Sequence, residues 1–254
     1  MTILERVSFA DVRRPLTVTA VAILCASGSW AADVGGAVDD PAVFSPKRFS
    51  DDVSAFYLGV TGGYGFGGDD RFGLTTPAGT FSIGDQDLNG AFGGVRGGWR
   101  GVLPARGGRE YVYGFEVGYD FGSVEDSVTT QIGTDTVQGG SEVSNVLSVR
   151  FRNGLTNPSG RILYFVSFGY VWGDIETTNS ITSGTTVQSF QDSDRRGGFS
   201  ASIGAEHKLS DNWSITGEYE YVQFDSETIA FSSGFSTKST PNYRSVRFGL
   251  NYKF

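Results

Sequence analysis

Glu218 and Glu220 stand two residues apart, so in an extended segment they share a face and could mimic a general acid and base pair. Other charged residues recur in the same way: Arg96 with Arg100, Glu116 with Asp120, Arg150 with Arg152, Glu206 with Lys208, and Arg247 near the end of the chain. Catalysis by such groups needs a cleft that admits a substrate, and no spacing here builds one. His207 is the only histidine and Cys25 the only cysteine, so a two-histidine metal site, a disulfide and a thiolate metal centre are all excluded. The glycine-rich string at 93–99, GGVRGGW, has neither a following helix nor a P-loop lysine and is not a phosphate loop. No cofactor or metal is expected, and the sequence reads as that of a non-enzyme.

The elements that carry these residues are strands. Residues 244–254, RSVRFGLNYKF, alternate Val246, Phe248, Leu250, Tyr252 and Phe254 with Ser245, Arg247, Gly249, Asn251 and Lys253, one apolar face against one polar face. Seven earlier segments, near 55–66, 91–100, 110–121, 142–152, 162–172, 199–208 and 213–221, alternate in the same way. In the fourth, Val143, Leu147, Val149 and Phe151 are set on the apolar face. The fifth is apolar on both faces through Leu163, Phe165 and Val171, which leaves its register open. The connections after the first, third, fifth and seventh segments are long, and the others are short turns.

The N-terminus places the chain outside the cytoplasm. Arg6, Arg13 and Arg14 precede an apolar run at 16–26, and Ser29-Trp30-Ala31 offers a cleavage site, so 1–31 reads as a signal peptide. Residues 32–52 are small, acidic and proline-containing, a flexible periplasmic leader, and 53–254 form the barrel domain. Cleavage takes the formal charge from −8 to about −9, since Glu5 and Asp11 leave with three arginines, and an acidic exported chain is no nucleic-acid binder.

Charge decides which way the faces point. The apolar faces hold almost none, with His207 and Arg244 at segment ends, while Tyr and Trp gather toward the same ends. The apolar face is therefore assigned to lipid, and the fold is all-β, an eight-stranded antiparallel transmembrane barrel with short periplasmic turns and four long extracellular loops. An eight-stranded bore is only wide enough to be filled by side chains. Arg96, Glu116, Arg150, Arg152, Glu206, Glu218, Glu220 and Arg247 are expected to form an ion-paired plug there, with Glu116, Glu218 and Glu220 opposite Arg150 and Arg247. His207 and Ser210 fall at the short-turn end, away from the outer leaflet, which argues against lipid deacylation.

Three stretches carry a resemblance: YVYGFEVGYDFG at 111–122, SASIGAEHKLSDNWSITGEYEYVQFD at 200–225, and the closing VRFGLNYKF. They resemble the small outer-membrane proteins of alphaproteobacteria in the opacity-type porin family, related in architecture to the OmpA membrane domain. The resemblance implies residence in the Gram-negative outer membrane and insertion by its assembly machinery, which would read Phe248, Leu250, Tyr252 and Phe254. It also implies a structural, antigen-like role at the surface, and no catalytic residues carry over. Partners expected are outer-membrane lipid and lipopolysaccharide; the sequence does not fix the oligomeric state, and a monomer is favoured. Two alternatives stay open: a small diffusion porin, or an adhesin whose loop residues Phe72, Leu74, Phe81, Phe231 and Phe235 contact a host or cell-surface ligand. The acidic loops, including Asp69, Asp70, Glu125, Asp126 and Glu176, read as a solvated shield, with divalent-cation bridging to lipopolysaccharide as the competing idea.

Overall fold

The structure, a computed structural model, describes residues 54–68, 70–76, 79–230 and 236–254. The signal peptide, the leader, Asp69, Phe231 and Phe235 lie outside the described residues, as do the side chains of Asp70, Phe72, Leu74 and Phe81. In chain order the strands are β1 (Ser54–Phe66), β2 (Asp70–Thr76), β3 (Gly79–Gln86), β4 (Gly90–Pro104), β5 (Glu110–Ile132), β6 (Asp135–Thr156), β7 (Ile162–Ser183), β8 (Thr186–Lys208), β9 (Trp213–Phe224), β10 (Glu227–Ala230), β11 (Ser236–Ser239) and β12 (Asn242–Lys253). A single 3-10 turn, Arg106–Gly108, joins β4 to β5.

Eight of these strands close on themselves in the order β1-β12-β9-β8-β7-β6-β5-β4, with β1 also paired to β4, every pairing antiparallel. Closure removes both sheet edges, the arrangement that leaves no ladder amide unpaired where water is absent. The seam joins the two ends of the domain: Val60 lies opposite Leu250, and the Phe254 amide donates to the Phe56 carbonyl at 3.1 Å. Period-two alternation turns large apolar residues outward, with Phe56 and Phe254 each 68 % exposed, while charged and hydroxyl side chains are buried inside. That reverses the distribution of a water-soluble domain and suits a lipid surround.

The fifth segment resolves cleanly. In β7 Tyr164, Val166, Phe168 and Tyr170 face out, while Leu163 and Phe165 face in and pack with Val102 and Val112. The fourth requires a correction: Val143, assigned to the apolar outer face, is buried inside. The cause is a bulge between Ser144 and Leu147, where Asn145 takes φ +52° and shifts the pleat, so that Val143 and Val146 both point inward. A neighbouring bulge on β5, between Asp120 and Ser123, matches it across the ladder.

The long connections are also more regular than irregular loops. Those after the third and fifth segments continue the wall as hairpins, making β5 through β8 22 or 23 residues each. They turn at Gly133-Thr134 and Gly184-Thr185, with glycine at φ +66° and +58°, the backbone that tight two-residue hairpin turns demand. The other two connections form a separate four-stranded sheet in the order β10-β11-β2-β3. The Gln86 side chain donates to the Gly139 carbonyl at 3.4 Å and the Asp87 amide to Asp126 Oδ2 at 2.7 Å, tying the end of this sheet to the β5–β6 hairpin.

Asn145 gives a direct test of the bulge. Asn145→Val forces a β-branched residue into the left-handed region and should destabilise the barrel by about 1–2 kcal/mol, whereas Asn145→Gly should not. Urea titration of the refolded protein reads the difference, and equal midpoints for the two variants would remove the bulge from the account.

Candidate functional site

The bore is filled at three levels. At the short-turn end sits the apolar set Val102, Val112, Leu163 and Phe165. At the hairpin end a larger apolar cluster includes Leu88, Phe92, Val124, Val143, Val146, Val171, Ile175 and Phe224. Between them lies the ionic layer, built wherever the inward-facing position of a strand is charged.

Arg150 on β6 is the centre of that layer, with 2 % of its side chain exposed. Its Nη1 donates to Glu218 Oε1 at 2.7 Å and to Glu220 Oε1 at 3.0 Å, and its Nη2 donates to Glu116 Oε1. Arg96 reaches Glu116 at 3.3 Å and Glu218 at 3.2 Å. Arg152 lies 3.1 Å from Glu116 and 3.6 Å from Glu206, with its guanidinium 4.0 Å from the centre of the Phe165 ring. Arg247 donates from Nε to Glu220 Oε2 and from Nη1 to Asp120 Oδ2, both at 2.6 Å, and sits 4.5 Å over the Phe92 ring. All eight residues expected in the plug are therefore buried in one layer, contributed by β4, β5, β6, β8, β9 and β12.

Further inward-facing groups join the layer. Asp120 shares Arg247, Arg100 donates to Glu206 Oε1 at 2.7 Å, and the Tyr57 hydroxyl donates to Glu116 Oε2 at 2.8 Å. Ser214 also donates to Glu206, at 2.7 Å, and Ser167 lies 3.4 Å from Glu218. The signal for Tyr57 was present, since it alternates with Phe56 and Leu58 on β1 and must point inward once they face lipid. Inward glycines make room for these long side chains: a Cβ on Gly94 would stand 2.3 Å from Asp120 Oδ1, and one on Gly169 would stand 2.9 Å from Arg150 Cγ.

The layer leaves little scope for acid–base chemistry. Glu218 and Glu220 do share a face, but both oxygen pairs are occupied by arginines and the carboxylates are almost wholly buried. His207 is exposed on the outer face at the short-turn end, and Ser210 Oγ accepts from the Trp213 amide at 3.2 Å within its turn. The four residues at the chain end, Phe248, Leu250, Tyr252 and Phe254, lie exposed on the outer face of β12 and just beyond it.

At the hairpin end, acids dominate. Glu125, Glu142 and Glu176 lie directly opposite one another across β5, β6 and β7, on the outer face, around a cavity of about 450 Å³ that Gly140, Ser127 and Thr178 also line. Among the described residues no group of three or more acids, histidines or cysteines is set to hold a metal ion.

A sequence model of the outer membrane protein beta-barrel domain matches residues 17–254. The 31 kDa outer-membrane immunogenic protein of Brucella melitensis is 24 % identical over 255 aligned positions, covering 95 % of this chain and all of that protein, and the Brucella suis protein of that description matches equally. Among solved structures, the outer membrane protein OprG of Pseudomonas aeruginosa aligns at 10 % identity and a TM-score of 0.48, covering 80 % of this chain and 97 % of that one.

Two substitutions test the two charged regions in opposite directions. Arg247→Glu sets a third carboxylate beside Glu220 and Asp120 and should cost about 3–5 kcal/mol, lowering the melting temperature in detergent followed by circular dichroism; an unchanged curve would refute the plug. Glu142→Lys, in the middle of the glutamate row, should instead stabilise the hairpins by roughly 0.2–1 kcal/mol, read as slower amide exchange in β5 and β6.

Proposed function

This chain belongs to the outer membrane protein beta-barrel domain family, and on that premise we propose that it is a structural, surface-exposed barrel with a closed interior and no enzymatic activity. It resides in the outer membrane of a Gram-negative cell. The observation that carries the reading is Arg150, held by three carboxylates across the middle of the bore. A channel lined by charge keeps its ionic groups in water, whereas here they neutralise one another and are capped by apolar side chains on both sides.

The short turns face the periplasm and the hairpins face outward, so β5 through β8 and the β10-β11-β2-β3 sheet are what the cell displays. This supports an antigen-like role, in keeping with the immunogenic Brucella protein. The closing aromatic residues, with Phe254 at the seam, serve as the address read during assembly, and the outer belt contacts lipid and lipopolysaccharide. Diffusion through the bore is the second reading. It is favoured by inward polar atoms that lack partners, Thr61 Oγ1 and Asn251 Oδ1, which sites of this kind satisfy with water.

Planar-bilayer recording separates the two. The closed barrel should show no steady single-channel openings as a monomer, while Arg150→Ala should introduce them by removing the central cation. Steady openings by the native protein would establish the porin instead.

A further inference from the structure

The short-turn end carries cations that the plug does not use. Arg106 and Arg109 flank the β4–β5 turn and Arg161 follows the β6–β7 turn; all three are exposed, and their guanidinium groups have no partner among the described residues. The two turns are held together. The Glu110 amide donates to Thr156 Oγ1 at 2.8 Å, and a Cβ on Gly108 would lie 3.8 Å from the Pro158 carbonyl oxygen. Gly107 and Gly108, at φ +73° and +71°, reverse the chain tightly enough to set Arg106 and Arg109 on one turn.

Beside these turns lies a cavity of about 240 Å³ whose rim includes Arg100, Arg161 and Lys208 and whose floor is Val102, Val112 and Leu163. Two acids line it: Glu110 at the start of β5, and Glu206, which is already committed to Arg100 and Ser214. Immediately above, on the lipid side, Trp99 packs against Tyr113 at 5.9 Å and Trp213 against Tyr252 at 4.9 Å, the aromatic pairing that marks the headgroup level. The free guanidiniums therefore lie at the depth of the phosphates of the periplasmic leaflet. A planar guanidinium matches a phosphate by two parallel hydrogen bonds, and several on adjoining turns add their attraction.

We propose that this end of the barrel is a binding site for the headgroups of anionic phospholipids, held by Arg106, Arg109 and Arg161. A cell-wall polymer is the other anionic partner within reach of this compartment. The lipid is favoured because the turns are short and begin directly below the aromatic level, with an apolar floor behind the cations. The site rests on the barrel spanning a bilayer in the orientation given above, and it stands whether or not the bore conducts.

Native mass spectrometry of the full-length mature protein, released from nanodiscs of equal phosphatidylcholine and phosphatidylglycerol, tests this. The native protein should retain phosphatidylglycerol preferentially, and the triple variant R106Q/R109Q/R161Q should lose that preference, with affinity falling about fivefold for each arginine removed. Lys238→Gln, on the opposite end of the molecule, should keep it, and unchanged circular dichroism shows that the variants are folded. Equal retention of the two lipids by the native protein, or undiminished preference in the triple variant, would overturn the proposal. So would displacement of the lipid by millimolar inorganic phosphate, which would mark a site for the free anion, or arginine-dependent cosedimentation with cell-wall sacculi in the absence of any lipid preference.

Discussion

An arginine enclosed in a bore too narrow for bulk water has to be answered by carboxylates, and the rest of this barrel follows from that requirement. Arg150 takes its partners from β5 and β9, Arg247 from β5 and β9, and Arg96 from the same two strands, so none of these arginines is satisfied within a single hairpin. Each strand must hold its register for the charges to meet. A slip of one residue would send an arginine to lipid and a phenylalanine to the bore, losing on both faces at once. The ionic layer thus specifies one closed arrangement, while the apolar clusters above and below it keep water from competing for the same hydrogen bonds.

The outer face sets the complementary demand. Lipid rewards no particular packing between neighbouring side chains, so the belt tolerates Phe, Leu, Val and Ile in any order provided no charge intervenes. Where backbones approach closely the belt and the bore both rely on glycine. At Gly114 even a methyl group would fall 2.1 Å from the Trp99 carbonyl oxygen, which ties β5 to β4 in a way that a larger residue would undo.

How much of this was legible in the sequence depended on periodicity. Strands that sit wholly in the belt, such as β9 and β12, can be read with the correct face because lipid forces unbroken alternation; Glu218, Glu220 and Arg247 follow from these two, and the other five plug residues from the belt portions of β4, β5, β6 and β8. Val143 reads as outward in the sequence yet points inward, because a bulge changes the phase of the pleat and Asn145 gives only a weak hint of one. The hairpin extensions read as loops in the sequence because, beyond the membrane, both faces meet water or polar neighbours and the alternation fades. Gly133-Thr134 and Gly184-Thr185 were the available cues, since a glycine beginning a two-residue connection is a hairpin turn in its own right. Alternation sets Asp120 on the inward face, but that it reaches Arg247 in place of Glu116 depends on the relative heights of β5 and β12, which spacing alone does not give.

The seam between β1 and β12 has a consequence in time. Most pairings in this fold join segments that are neighbours in the chain, and such contacts cost little entropy to form. The pairing of Val60 with Leu250 spans almost the whole domain, so it is the slow and late one. Until it forms, β1 and β12 each present an open row of amides and carbonyls, and Arg247 waits without a closed bore around it. The residues of β12 are thus the ones that end the interval in which the chain can pair with a stranger.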